Sequence, residues 1–222
     1  MSTPKPAVTQ LAVLNAESLD MAENFVYNPE PVRAAREAAA ETGSAAPVPS
    51  NGVCAALTFL ARVIDARTVV EIGTGPGVTG LALLSGMGSG ATLTSIDADA
   101  DWQIAARQAF TKAGWPAASF RLIAGVALDV LPKLRDGAYD IVLVNGDKLE
   151  YVEYVAQATR LLRAGGLLVM NDALWRNKVA DPRNEEDEAL IIREAIDVVQ
   201  QDDDFTKVVI PLGEGLLVAL KN

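Results

Sequence analysis

Two hydrophobic periods alternate along this chain. Short β-branched or aliphatic runs, of the length and composition of fully buried strands, occur at 67–72, 91–96, 119–123, 139–144 and 166–170. Between them, segments with helical spacing predict helices over 78–86, 100–113, 127–134, 149–163 and 185–201. Repeated strand–helix units imply a parallel sheet with helices on both faces. The pattern changes at the end. Lys207 to Leu220 reads as two strands around a Gly-containing turn, a hairpin. The expected fold is an α/β, doubly wound, Rossmann-like sheet of seven strands with an antiparallel terminal hairpin.

The first 65 residues lack strands. Residues 1–10 read as a loose tail, and Leu11 to Tyr27 as one or two short helices. Pro31 to Glu41 is rich in helix formers, with Pro31 suited to a first turn. Residues 42–51, with Gly, Ser and two prolines, read as a loop. Val53, Leu57, Leu60 and Ile64 mark a helix over 53–64. The expected organisation is an N-terminal helical cap or lid, 1–65, in one domain with a core over 66–222.

One stretch organises the rest: Thr68-Val-Val-Glu-Ile-Gly-Thr-Gly-Pro-Gly-Val78. A buried strand runs into three alternating glycines, Gly73, Gly75 and Gly77, and then into a helix. Glycine lets a backbone approach a ligand, and a helix start presents free N–H groups. A dinucleotide fingerprint needs a third glycine where Val78 stands. Glu71, a carboxylate beside the turn, suits a cationic amino-acid group better than a pyrophosphate. S-adenosylmethionine offers an ammonium and a sulfonium. Asp97, twenty residues past Gly77, is placed for ribose hydroxyls and serves either cofactor class. Two other readings stay open: an NAD-linked oxidoreductase, and a glycine turn that serves only packing.

Composition narrows the chemistry. The formal charge is −10 and the basic residues are scattered, which argues against nucleic acid as a partner. There is no histidine, so His triads, His bases and His metal ligands are excluded. A metal would need oxygen ligands, and a general base would be Asp, Glu, Lys or Tyr. The single cysteine, Cys54, excludes an intramolecular disulfide and sits in an apolar segment, as a buried side chain does. No signal pattern opens the chain and no run approaches membrane-spanning length. A soluble, cytoplasmic protein with no membrane partner is expected.

Glu71 to Thr79 resembles the first motif of class I methyltransferases. Residues 50–220 as a whole resemble the O-methyltransferases of the catechol and caffeoyl-CoA type. The further matching stretches are Leu93–Asp97, Gly125–Pro132, Tyr139–Tyr151 and Leu162–Trp175. The resemblance implies S-adenosylmethionine as cofactor. It places Glu71, Gly73, Thr74, Gly75, Gly77 and Thr79 along the methionine part, Asp97 at the ribose, and Val126, Ala127 and Leu128 at the adenine, with Asn145 among the cofactor contacts. It also implies a small aromatic hydroxylated acceptor and a homodimer.

In that family a divalent metal, usually Mg²⁺, orients two substrate hydroxyls, held by an Asp after the fourth strand and an Asp-Asn pair after the fifth. Here those positions are Asn145 and Asn171-Asp172. One carboxylate is left among three acceptors, and Mg²⁺ prefers charged oxygens. Metal dependence is therefore expected to be weakened or absent, with Asn171 and Asp172 contacting the substrate instead. Lys148 stands where the family's base stands. Trp175 either faces the acceptor ring or covers a loop. The alternative to an active O-methyltransferase is a non-catalytic or regulatory S-adenosylmethionine-binding protein.

Overall fold

A computed structural model describes residues 14–41 and 48–222. The tail expected over 1–10, the start of the segment expected to be helical from Leu11, and most of the loop expected over 42–51 lie outside the described residues. Three helices come first: α1 (Ala16–Glu23), α2 (Glu30–Glu41) and α3 (Asn51–Val63). Alternation follows: β1 (Thr68–Ile72), α4 (Val78–Gly86), β2 (Thr92–Asp97), α5 (Ala100–Lys112), β3 (Phe120–Ala124), α6 (Ala127–Val130), β4 (Tyr139–Val144), α7 (Tyr151–Leu161), β5 (Leu162–Asn171) and α8 (Asp187–Gln201). A hairpin of β6 (Phe205–Ile210) and β7 (Leu216–Lys221) closes the chain.

The seven strands lie in the order β3-β2-β1-β4-β5-β7-β6. β7 alone runs antiparallel to β5, and β6 antiparallel to β7. The expected sheet and hairpin are present. Differences fall at boundaries. β5 begins at Leu162 rather than 166, because Leu162 pairs with Tyr139 across a bulge. The helix expected from residue 149 begins as a tight turn over Lys148–Glu150 before α7. The helix expected over 127–134 tightens after Val130, where Pro132 interrupts it.

Strand residues alternate between two helix-covered faces, so β4 and β5 are apolar on both sides. Val69, Leu93, Ile141, Leu143 and Val169 pack beneath the helices α2–α5. Val70, Ile72, Val142, Val144 and Met170 pack beneath α6–α8. α3 contributes Val53, Cys54, Leu57 and Ala61 to the first of these cores. Burial pushes the Cys54 thiol up to about 12, so it is inert packing. At the opposite end from the glycine turn, Asp140 Oδ2 accepts the Arg67 and Thr68 backbone N–H groups at 2.8 and 2.7 Å. Its Oδ1 accepts from Arg163 Nε at 2.6 Å. Among the described residues no helix is long and apolar enough to cross a membrane.

The strand order reverses between β1 and β4. In doubly wound sheets the crevice at the carboxyl ends of such strands is the ligand site.

Candidate active site

The three glycines of the turn have three different reasons. Gly73 has φ +89°, and a Cβ there would lie 2.3 Å from the Asn145 carbonyl oxygen. Asn145 N–H in turn donates to Ile72 O at 2.9 Å, so β1 and β4 leave the sheet in contact. Gly77 has φ +88° and backs onto the Phe110 ring, 2.9 Å from an added Cβ. Only Gly75 faces open space: at φ +49° nothing lies within 4 Å of an added Cβ. Its N–H donates to Asp97 Oδ2 at 2.9 Å, which ties the turn to the end of β2.

A cavity of about 510 Å³ opens above this turn. That is ample for a cofactor of nucleoside size. Its walls bring together most of the expected residues: Gly73, Thr74, Gly75, Thr79, Asp97, Val126, Ala127, Asn145, Lys148 and Asp172. Glu71, Gly77, Asn171 and Trp175 are not in its wall, nor is Leu128. Trp102 and Tyr154 are, and sequence reasoning missed both. Trp102 had a usable signal, an aromatic side chain in the first turn after the β2 carboxylate. Tyr154 had none, since it reads as one more apolar position of α7. Val126 is 47% exposed and Ala127 is buried. They give an apolar ledge beside Asp97, just past Gly125, whose N–H donates to Asp97 O at 2.8 Å.

Glu71 is placed differently from the expectation that it would lie along the methionine part of the cofactor. It is fully buried on the sheet face under α4 and α5. Its carboxyl oxygens accept from Thr79 Oγ1 and Ser95 Oγ, each at 2.5 Å. Burial pushes the carboxyl up to about 7. The network continues: Ser95 Oγ meets Thr74 Oγ1 at 2.6 Å, and Gln103 Nε2 donates to Thr74 at 2.8 Å. Thr74 and Thr79 both line the cavity. Glu71 therefore acts on it from behind, by fixing those two hydroxyls. A strand residue whose neighbours Val70 and Ile72 face the other helical layer points away from that layer; the period-2 rule carried this signal.

The ends of β4 and β5 hold the second group. Asn171 Nδ2 donates to Asn145 Oδ1 at 2.9 Å. Asp172 Oδ2 and Lys148 Nζ form an ion pair at 2.8 Å, with side chains 7% and 12% exposed. Lys148 Nζ also donates to Tyr151 Oη at 2.7 Å and to Gly146 O at 3.3 Å. Tyr151 Oη donates to Asn171 O at 3.2 Å. Burial holds the Tyr151 phenol above its ordinary range, so it stays a hydrogen-bonding alcohol. Asp172 sits at φ +59°, in the left-handed region that β-carbon-bearing residues seldom adopt. The strain marks where β5 breaks to aim this carboxylate at Lys148. The Trp175 ring covers Lys148 Nζ at 5.4 Å.

The donor set does not fit Mg²⁺. Its two amides are bonded to each other and its single carboxylate already carries an ammonium. An octahedral cation wants several charged or freely oriented oxygens. Asp147 lines the cavity, but its Oδ1 caps the following turn by accepting from Leu149 N at 3.0 Å.

A second cavity, about 430 Å³, lies on the far side of Asn171. It shares Val48, Pro49 and Asp172 with the first. Asn171 Oδ1 is buried and has no hydrogen-bond partner.

Comparison with known proteins agrees with this architecture. A family model described as O-methyltransferase matches residues 23–222. A protein of Mycobacterium sp. (strain KMS) bearing an O-methyltransferase name is 42% identical over 201 residues, 90% of each chain. One from Mycobacterium avium (strain 104) is 37% identical over 221 residues, 99% of each. Among solved structures, a protein of Corynebacterium glutamicum superposes with TM-score 0.84 at 30% identity, covering 92% of this chain and 96% of that one. The O-methyltransferase TomG from Streptomyces achromogenes, involved in tomaymycin synthesis and solved with S-adenosylmethionine, superposes with TM-score 0.83 at 25% identity over 94% and 96% of the two chains. With a family match that spans nine-tenths of its length, the chain belongs to the O-methyltransferase family.

Proposed function

We propose that this protein is an S-adenosylmethionine-dependent O-methyltransferase of small hydroxylated molecules that works without a bound metal. The observation that carries the reading is the ring-covered Lys148 in the wall of the first cavity, ion-paired to the Asp172 that both cavities share. The cofactor fits the first cavity on this chain's own features. Gly75 leaves its backbone open, Asp97 keeps acceptor capacity for ribose hydroxyls, and Val126 and Ala127 offer an apolar surface for a base. When bound there, the cofactor supplies a methyl group on a sulfonium, whose carbon–sulfur bond breaks with its electron pair going to sulfur as the acceptor oxygen takes the methyl.

The protein's part is placement and proton removal. Lys148, an ammonium in the resting ion pair, first gives a proton to solvent, and the amine so formed takes the acceptor hydroxyl's proton. The ammonium so formed rests on Asp172, Tyr151 and Gly146, the three oxygens around it. Thr79 and Thr74, fixed by Glu71 and Ser95, hold the near end of the cofactor. Ala39, Val48 and Pro49 line the cavity, which supports reading the N-terminal helices as part of its lid. A homodimer belongs to the same reading, and the exposed Met21, Phe25 and Tyr27 around α1 are surface it could cover.

Calorimetric titration with S-adenosylhomocysteine, with and without Mg²⁺, tests the assignment. Micromolar binding indifferent to Mg²⁺ is expected. Absence of binding overturns the cofactor assignment, and tight Mg²⁺ uptake overturns the metal-free mechanism.

A further inference from the structure

Building on the methyltransferase reading, we infer that the second cavity is the acceptor subsite, and that its occupant is a compact, non-aromatic, polyhydroxylated molecule rather than a planar phenol. Three observations carry this. The cavity meets the cofactor cavity at Asp172, beside the Lys148 amine, where a reacting oxygen has to sit. It also holds a buried acceptor with nothing to accept. Asn171 is 4% exposed, its Nδ2 is spent on Asn145, and its Oδ1 has no partner. An unmet buried acceptor costs about 1–3 kcal/mol, and a ligand hydroxyl removes that cost. Finally, the lining is the wrong surface for a ring. Among the described residues that form it there is no aromatic side chain, and Trp175 lines neither cavity. Its walls instead present hydrogen-bonding groups, among them Glu23, Arg36, Asn51 and Glu214. Two of the Glu23 and Glu214 oxygens that accept backbone N–H groups, from Gly52 and Arg176, keep further lone pairs for hydroxyl donors.

The geometry assigns two hydroxyls. The reacting one gives its proton to Lys148 as its oxygen is methylated. A neighbouring one donates to Asn171 Oδ1. This amide thus takes over the orienting task that paired hydroxyls otherwise require of a cation. A phenol could satisfy Asn171 but would set the apolar faces of its ring against charged and amide groups that retain hydrogen-bonding capacity, which disfavours it.

The test uses the full chain. Saturation-transfer NMR on protein loaded with S-adenosylhomocysteine compares myo-inositol and methyl glucoside with catechol and 3,4-dihydroxybenzoate. Mass spectrometry then follows methyl transfer from S-adenosylmethionine to the same four probes. The polyols are expected to bind and to gain one methyl group. Asn171→Leu is expected to weaken polyol binding about tenfold or more, and Asn171→Asp, which keeps the acceptor oxygen, much less. Calorimetry with S-adenosylhomocysteine should read the same for all three proteins. Binding or methylation of the aromatic probes alone, or binding of none of the four, overturns the inference and leaves the methyltransferase reading standing. Polyol binding unchanged in Asn171→Leu removes Asn171 from it. Failure of S-adenosylhomocysteine itself to bind overturns the reading beneath both.

Discussion

Replacing Glu71 by Gln should change how stability depends on pH. The native carboxyl is pushed from 4.5 up to about 7, first by burial, with the Ser95 and Thr79 hydroxyls opposing and the Asp97 charge adding to the rise. A carboxyl raised in the folded state holds its proton more tightly there than in the unfolded chain. Its contribution is fully present below pH 4.5, erodes through the window, and is gone above about pH 7. At about 1.4 kcal/mol per unit, integration between pH 5 and pH 8.5 gives a loss of about 2.5 kcal/mol in the wild type. Glutamine cannot titrate but still offers an oxygen to Thr79 or Ser95. Cys54, Tyr151 and Asp140 keep their own shifts in both proteins, so they cancel in the difference. Urea unfolding at pH 5, 6, 7, 8 and 8.5 should show the Glu71→Gln protein gaining on the wild type by about 2.5 kcal/mol across that range. For a chain of this size that corresponds to roughly 5–10 °C in melting temperature. Parallel profiles, with a constant offset at every pH, would refute the claim that a buried, proton-holding Glu71 lies under the turn.

Lys148→Ala should abolish turnover while S-adenosylhomocysteine affinity changes less than about threefold; it should also destabilise the fold by about 3 kcal/mol, because Asp172 is left buried and unpaired. Lys148→Ala combined with Asp172→Ala should recover much of that stability in urea melts and none of the activity. Gly73→Ala should lower the melting temperature and remove cofactor binding together, since its Cβ would meet the Asn145 carbonyl at 2.3 Å; a calorimetric titration matching the wild type would contradict this. Asn145→Asp with Asn171→Asp and Asp172→Asn should create Mg²⁺ binding measurable by calorimetry, because it supplies two carboxylates in place of one.

Much of this was legible in sequence because periodicity and composition agreed. The strands β1, β2 and β4 are mainly apolar runs, interrupted by Glu71, by Asp97 and Asp140 near strand ends and by hydroxyl side chains, and the sheet buries both faces of them. The C-terminal hairpin was visible from its central Pro and glycines. Boundaries slipped where a local interaction competed with the pattern, as at Leu162, where pairing with Tyr139 extends β5 backwards. The site was legible as residue types and less so as directions. Asp97, Lys148 and Asn145 line one cavity. Glu71 does not touch the cavity, because a strand residue's face is set by its parity, whereas its place beside a glycine turn suggested contact. The Asn171 amide could not be assigned to the second cavity from spacing, since that requires knowing that β5 breaks at Asp172 with a positive φ. The walls of that cavity come from α1, α2, α3 and the β6–β7 turn, segments distant in sequence that only packing brings together.

In the proposed metal-free mechanism an ion pair stands where a metal would, and this has a physical consequence beyond metal indifference. A divalent cation orients a substrate by charge, holds whichever two oxygens reach it, and is itself lost or gained with solution conditions. The Lys148–Asp172 pair is covalently part of the scaffold, held at 2.8 Å and covered by Trp175. In the proposed mechanism Lys148 removes the proton, but the pair as a whole contributes no net charge to gather a diol. Orientation must then come from neutral hydrogen-bonding groups, and these have fixed directions. Asn171 Oδ1 supplies one such direction, and the Asn145–Asn171 bond keeps it from turning. Breaking that bond alone, by Asn145→Ala, leaves Lys148, Asp172 and the Asn171 oxygen in place but frees the amide to rotate. Steady-state kinetics should then show kcat falling about tenfold with KM for the acceptor little changed, because a misdirected amide loses transition-state alignment more than ground-state contact. A rise in KM with kcat preserved would mean that Asn145 merely fills space, and that the amide pair does not stand in for the cation.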